Sequence, residues 1–169
     1  QRTDIDRLRD ATGDLDFEAD LSVFRTLPTI LRKSEYKVTA VVVDEKLIAV
    51  EPGDTSEQNY AIGIDLGTTT VVATLLDLVT GTPMAVKSML NKQQPFGADV
   101  ISRISAAMMD PQAGELMQKA ALDTFNELIA EVCSEAGINS DQVYATSIAG
   151  NATMVQLLLG VDPEPVGVA

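Results

Sequence analysis

Three apolar runs, joined by connections too short to hold a helix, fix the middle of this chain as an antiparallel meander. Tyr60–Asp65, Val71–Leu78 and Met84–Leu90 are rich in strand-forming residues. The links between them, Leu66–Thr70 and the turn around Thr80-Gly81-Thr82-Pro83, leave room only for hairpin turns. A polar loop, Asn91–Gly97, then gives way to a helical period. Val100, Ile101, Ile104 and Met108 share one face of a helix that Asp99 opens and Asp110-Pro111 stops. Leu116, Ala120, Ala121, Phe125, Leu128, Ile129, Val132, Cys133 and Ala136 mark a longer helix, ended by Gly137 just past its last turn. Gln142–Ile148 reads as a fourth strand, and Ala152–Leu159 as a helix closed by Gly160.

The resulting order, β-β-β-α-α-β-α, is that of an α/β, ribonuclease-H-like (actin-type ATPase) half-domain. A doubly wound sheet would alternate strand and helix from its start. Residues 1–57 have a different texture and read as a small α+β domain, with 58–169 as the first part of a larger one. Thr3 can cap an opening helix carrying Ile5 and Leu8, and Asp20 a second one with Leu21, Phe24, Leu27, Ile30 and Leu31. Pro28 is expected to break or restart that second helix. Lys37–Val43 and Leu47–Glu51 flank Asp44-Glu45-Lys46 as a hairpin. The polar, turn-forming stretch Pro52–Glu57 marks the boundary. The opening, Gln1-Arg2-Thr3-Asp4, is neither an initiator methionine nor a signal peptide, so the chain reads as a piece of something longer.

Composition narrows the chemistry. Apolar residues make up 46 % of the 169, enough for a core, and the formal charge of −13 argues against nucleic-acid partners. There is no histidine, which removes the commonest general base and zinc ligand. Cys133 alone can neither pair within the chain nor hold a cluster, which fits a reducing, cytoplasmic setting; its place on an apolar helix face suits a buried thiol. No apolar run is long enough to span a membrane. The six methionines, Met84, Met89, Met108, Met109, Met117 and Met154, read as core filler.

The sharpest chemical signal is Asp65-Leu66-Gly67-Thr68-Thr69-Thr70, between two strands. Gly67 allows a sharp turn and leaves room for an oxygen atom to approach. The amides and hydroxyls of Thr68, Thr69 and Thr70 could donate to phosphate oxygens as a backbone nest. Asp65 could hold Mg²⁺ through water or orient an attacking water. The plainer alternative is a hairpin turn, for which Asp, Gly and Thr are ordinary residues. No Gly-x-x-x-x-Gly-Lys-Ser/Thr is present, so this is not a P-loop of the Walker type. Asn91, Gln93, Gly97, Asp99 and Arg103 form a second candidate group beside a strand end, where a cleft is expected; equally, Asp99 can simply cap a helix. Gly150 and Asn151, at a strand-to-helix turn, can face a ligand or serve as a plain cap.

Ile62–Ala73, with its Asp65–Thr70 core, resembles the first phosphate motif of the actin, heat-shock-chaperone and sugar-kinase superfamily. More specific is Asn91-x-Gln93-x-x-Phe96-Gly97-Ala98-Asp99-Val100-Ile101-Ser102-Arg103-Ile104, with Gly150-Asn151-x-Thr153-Met154 and Leu157–Pro163. These strings resemble the ATP-dependent reductive activators of corrinoid proteins. Leu27-Pro28, Leu31-Arg32 and Val50–Asp54 resemble the small domain that precedes the ATPase-like domain there, so the likeness covers essentially the whole chain. The resemblance implies ATP and Mg²⁺ as cofactors, an iron–sulfur cluster elsewhere in the longer protein, and a corrinoid protein as partner. It implies that ATP binding and hydrolysis accompany reduction of corrinoid Co(II) to Co(I). The phosphate-binding residues would be Gly67, Thr68, Thr69, Thr70, Gly150 and Asn151, with Asp65 catalytic and beside the metal. With half a cleft, the piece alone is expected neither to turn over ATP nor to reduce anything, and exposed apolar surface suits self-association, as a homodimer for instance. Three alternatives stay open: a sugar or carboxylic-acid kinase using Asp99 as base, a cobalamin-enzyme reactivating chaperone, and a filament-forming actin relative.

Overall fold

The computed structural model describes residues 2–13 and 15–167. They form two compact units, Gln1–Gln58 and Asn59–Ala169.

In the first unit, helices α1 (Asp4–Thr12) and α2 (Leu21–Lys33) accompany a three-stranded sheet of β1 (Glu18–Ala19), β2 (Val38–Val43) and β3 (Lys46–Pro52), in the order β1-β3-β2. Thr3 caps α1 through a reciprocal pair: its hydroxyl accepts from the Asp6 amide, and the Asp6 carboxylate accepts from the Thr3 amide. α2 runs unbroken through Pro28. The missing proline N–H frees only the Phe24 carbonyl, and both residues lie on the exposed side, where water can satisfy it. The buried stripe of α2 is Val23, Leu27 and Leu31 rather than one that includes Leu21 and Phe24, which are exposed. Asp20 sits at the cap position without a side-chain cap bond. Asp44 and Glu45 both take positive φ, as a two-residue hairpin between β2 and β3 requires. With Ile5, Leu8, Phe17, Leu47 and Val50, the α2 stripe closes a small core.

The second unit is a four-stranded sheet with helices packed on it. Its strands are β4 (Tyr60–Leu66), β5 (Thr70–Asp77), β6 (Thr82–Leu90) and β7 (Val143–Gly150), in the order β6-β5-β4-β7. The first three are antiparallel neighbours, while β7 joins β4 in parallel after a helical crossover. The helices are α3 (Val100–Met109), α4 (Pro111–Ala136), α5 (Ala152–Leu159) and a short α6 (Glu164–Gly167). Three antiparallel strands followed by a parallel fourth is the ribonuclease-H-like half-domain. Alternation along β4 and β5 sends Ile62, Ile64, Leu66, Val71, Ala73 and Leu75 to one face, where Met117, Ala121, Phe125, Leu128 and Val132 of α4 cover them. Gly137 and Gly160 end α4 and α5 in the left-handed region.

Two helix faces differ from expectation. On α3 the buried positions are Arg103 and Ile104, while Ile101 is 75 % and Met108 50 % exposed. α4 begins at Pro111, several residues before Leu116, which is itself half exposed. Among the methionines, Met117 and Met154 are core residues, whereas Met84, Met108 and Met109 lie at the surface. Cys133 is buried, and burial pushes its thiol pKa up. Among the described residues no helix is long and apolar enough to cross a membrane.

Candidate functional site

The β4–β5 turn is built around a close approach. A Cβ on Gly67 would lie 2.2 Å from the carbonyl oxygen of Thr70, so no side chain fits there. The room left by the missing side chain is therefore taken by the chain's own carbonyl. Gly67 does not need a positive φ; it needs the space.

Behind the turn lies the segment Asn91–Arg103, and it captures three successive carbonyls. The Asn91 side-chain amide donates to Gly67 O at 2.9 Å, Arg103 Nη2 donates to Thr68 O at 2.6 Å, and the Asn91 backbone amide donates to Thr69 O at 2.8 Å. In a trans peptide the N–H points opposite to the carbonyl before it. No peptide bond among the described residues is cis, so the amides of Thr68, Thr69 and Thr70 are turned away from the bracing segment. Those of Thr68 and Thr69 find no acceptor among the described residues. Carbonyls held in leave the adjacent amides of Thr68 and Thr69 without a partner among the described residues on the other side, as an anion-binding loop requires.

The bracing residues are interior. Asn91, Gln93 and Arg103 are each 0 % exposed, so they line no open cleft. Gln93 is fixed by its own amide on Asn91 Oδ1 at 2.9 Å and by Nε2 on Met117 O at 2.9 Å. A 3-10 turn over Gln94–Phe96 leads to Gly97, whose carbonyl accepts from Arg103 Nε at 3.0 Å. A Cβ on Gly97 would meet Ser102 and the Arg103 amide at under 3.0 Å, and its φ of 157° also favours glycine, so both space and backbone require it here. Asp99 caps α3: its Oδ1 accepts from the Ser102 amide at 2.8 Å and from the Ser102 hydroxyl at 2.6 Å. Those bonds hold the carboxyl below its ordinary pKa, the hydroxyl bond foremost. A carboxylate so occupied is poorly suited to take a proton from a substrate.

On the open side, Asp65 occupies the exposed register position near the end of β4, between buried Ile64 and Leu66, opposite Val72 and Ala149. Asn151 reaches the turn from the other chain crossing. Its Nδ2 lies 3.2 Å from Thr68 Oγ1, and its Oδ1 caps α5 by accepting from the Met154 amide at 2.9 Å. Gly150 ends β7 alongside Leu66, whose carbonyl would lie 3.0 Å from an added Cβ. Asp65, the amides of Thr68 and Thr69, and Asn151 thus gather at one end of the sheet. Asn91, Gln93, Gly97 and Arg103 stand behind them as a scaffold, a role that sequence spacing does not distinguish from lining. Met117 and Met154 belong to that scaffold too, and only their polar partners reveal it. No group of three or more potential metal ligands occurs among the described residues, so an ion here would rest on Asp65 and on the ligand's own oxygens.

Residues 60–169 match the family described as the RACo middle region, and residues 1–57 the RACo linker region. The chain is 35 % identical over 168 residues to the corrinoid activation enzyme RamQ of Eubacterium limosum, covering 98 % of this chain and 28 % of RamQ. A solved structure described as a reductive activator for corrinoid, iron-sulfur protein superposes with a TM-score of 0.79 at 38 % identity, covering 96 % of this chain and 27 % of that one. The chain therefore spans little more than a quarter of the length of either relative.

Proposed function

This chain belongs to the RACo family, and from that premise we propose that it supplies the phosphate-binding part of an ATP-dependent activator that drives reduction of corrinoid Co(II) to Co(I). One observation carries the nucleotide assignment: three consecutive carbonyls are drawn inward by Asn91 and Arg103, which leaves adjacent amides aimed outward beside Asp65. The corrinoid assignment rests on the likeness to RamQ and to the solved reductive activator.

The residues present fit Mg·ATP. Thr68 and Thr69 would donate backbone N–H groups to phosphate oxygens, and Asn151 would hold the Thr68 hydroxyl. Asp65, exposed near the end of β4, would hold Mg²⁺ through water or orient the attacking water. Mg²⁺ keeps several waters and takes few protein carboxylates, so one aspartate with phosphate oxygens suits it. When bound, the ion neutralises charge on the transferring phosphate. The same residues do not fit an iron–sulfur cluster. Such a cluster takes four thiolates, and Cys133 is the single cysteine and buried. For nucleotide to drive an uphill reduction, it must bind two conformations of the assembly unequally.

The test is ATP turnover by the full-length protein, with and without a Co(II) corrinoid protein, comparing wild type with Asp65→Ala. Stimulation by the partner is expected, with turnover falling about 10²-fold or more in the variant. Turnover that ignores the corrinoid protein and responds to a sugar or carboxylic acid would move the assignment to a kinase.

A further inference from the structure

Arg103 is a cation wholly inside the second unit, with no carboxylate in ion-pair contact among the described residues. Its acceptors are all neutral: Gly97 O, Gln93 Oε1, Met154 Sδ and Thr68 O. Those four account for four of the five guanidinium N–H groups. Asp99 is the one carboxylate whose field it feels, and the Asp99 Oδ1 is engaged by Ser102. Burying a charge with no counter-charge in contact is costly, and a hydrophobic residue would fill the same volume more cheaply. The guanidinium reaches the inner side of the very peptide whose outer N–H belongs to Thr69. One peptide unit therefore separates this cation from the outward amides.

We propose that Arg103 is the positioning residue of the phosphate loop: it locks the Thr68 carbonyl inward, and its charge is balanced by the phosphates of a bound nucleoside triphosphate on the far side of that peptide. The inference rests on the nucleotide reading given above. Arg103 touches no nucleotide; it acts through the Thr68–Thr69 peptide, which it orients and polarises. Through Gln93 and Met154 it also ties the loop to α4 and to the start of α5. A lysine keeps the charge but lacks the fork that spans Gly97 and Thr68, so the two contributions can be separated.

The experiment measures Mg·ATP affinity of the full-length protein for wild type, Arg103→Lys and Arg103→Met. Arg103→Gln, which keeps a donor but no charge, replaces the methionine variant if that one does not fold. The neutral variants are expected to bind about tenfold more weakly or worse, the size of one lost charge-assisted contact. Arg103→Lys, which keeps the charge but not the fork, should recover part of that loss. Neutral variants with wild-type affinity, or a lysine variant that binds no tighter than the neutral ones, overturn the charge role while leaving the nucleotide reading intact. A wild-type protein that does not bind ATP overturns both.

Discussion

Gly67→Ala and Gly63→Ala, two additions of one methyl group four residues apart, should have opposite effects. At Gly67 the new Cβ would stand 2.2 Å from Thr70 O, about 0.8 Å inside the 3.0 Å limit that real side chains respect. Neither partner can yield easily. Thr70 is paired with Leu90 in the β5–β6 ladder, and the preceding carbonyl, Thr69 O, is held by the Asn91 amide. Relief must come from shifting backbone, which puts the cost at about 1–3 kcal/mol. In a unit of this size each kcal/mol moves the melting temperature by roughly 4 °C, so a fall of about 4–12 °C is expected. At Gly63, inside β4, an added Cβ meets nothing within 4 Å, and φ is not positive. There the alanine restricts the unfolded chain more than the folded one and should leave stability level or raise it by about 0.4–1 kcal/mol. Thermal unfolding followed by far-ultraviolet circular dichroism would show both. Equal shifts in the two variants would refute the claim that Gly67 is dictated by the Thr70 carbonyl.

Three further substitutions, at two positions, probe the caps that flank the site. Asn151→Asp keeps an acceptor for the Met154 amide, so α5 should stay as stable. It also sets a carboxylate beside Thr68, so ATP affinity measured calorimetrically should fall; Asn151→Ala, by contrast, should lose about 0.5–2 kcal/mol of stability in urea unfolding. For Asp99 the sign follows from its lowered pKa. Its capping contribution is fully present above the ordinary value of 3.8 and disappears as pH falls through the lower folded value. Asp99→Ala should therefore lower the melting temperature by a few degrees at neutral pH and make less difference in acid. A loss that persists undiminished at low pH would contradict the assignment of Asp99 as a charged cap.

Most of the architecture was legible because strand alternation and helical period act locally. The β4–β6 meander, the two capping glycines Gly137 and Gly160, and the β2–β3 hairpin follow from residue type and spacing alone. What periodicity misjudged was α3. A pattern that counts charged residues as exposed turns Ile101 and Met108 inward, whereas Arg103 is the residue buried. No rule of local sequence supplies the acceptors that make this tolerable, because Thr68 lies 35 residues away and Met154 lies 51 away. Pro28 was misjudged for a related reason: the cost of proline in a helix depends on whether the freed carbonyl faces water, and on α2 it lies on the exposed side. β1 is two residues long, too short to carry any alternation. Likewise the polarity of Asn91 and Gln93 marked them as a site group, but could not tell a side chain that meets a ligand from one that holds the loop for it.

That distinction bears on how a strongly acidic chain would bind a polyanion, as the proposed nucleotide role requires. The net charge of −13 repels phosphate at a distance. At physiological salt such repulsion is screened beyond about 8 Å. Within that radius the outcome depends on local donors: outward amides and the buried guanidinium behind them. An unbraced glycine–threonine turn would have to surrender its conformational freedom on binding, at the expense of affinity. Here the freedom is given up during folding, when Asn91 and Arg103 take hold of Gly67, Thr68 and Thr69. In the proposed site the bracing segment would therefore be as necessary as the threonines themselves, although none of its buried side chains would face the anion.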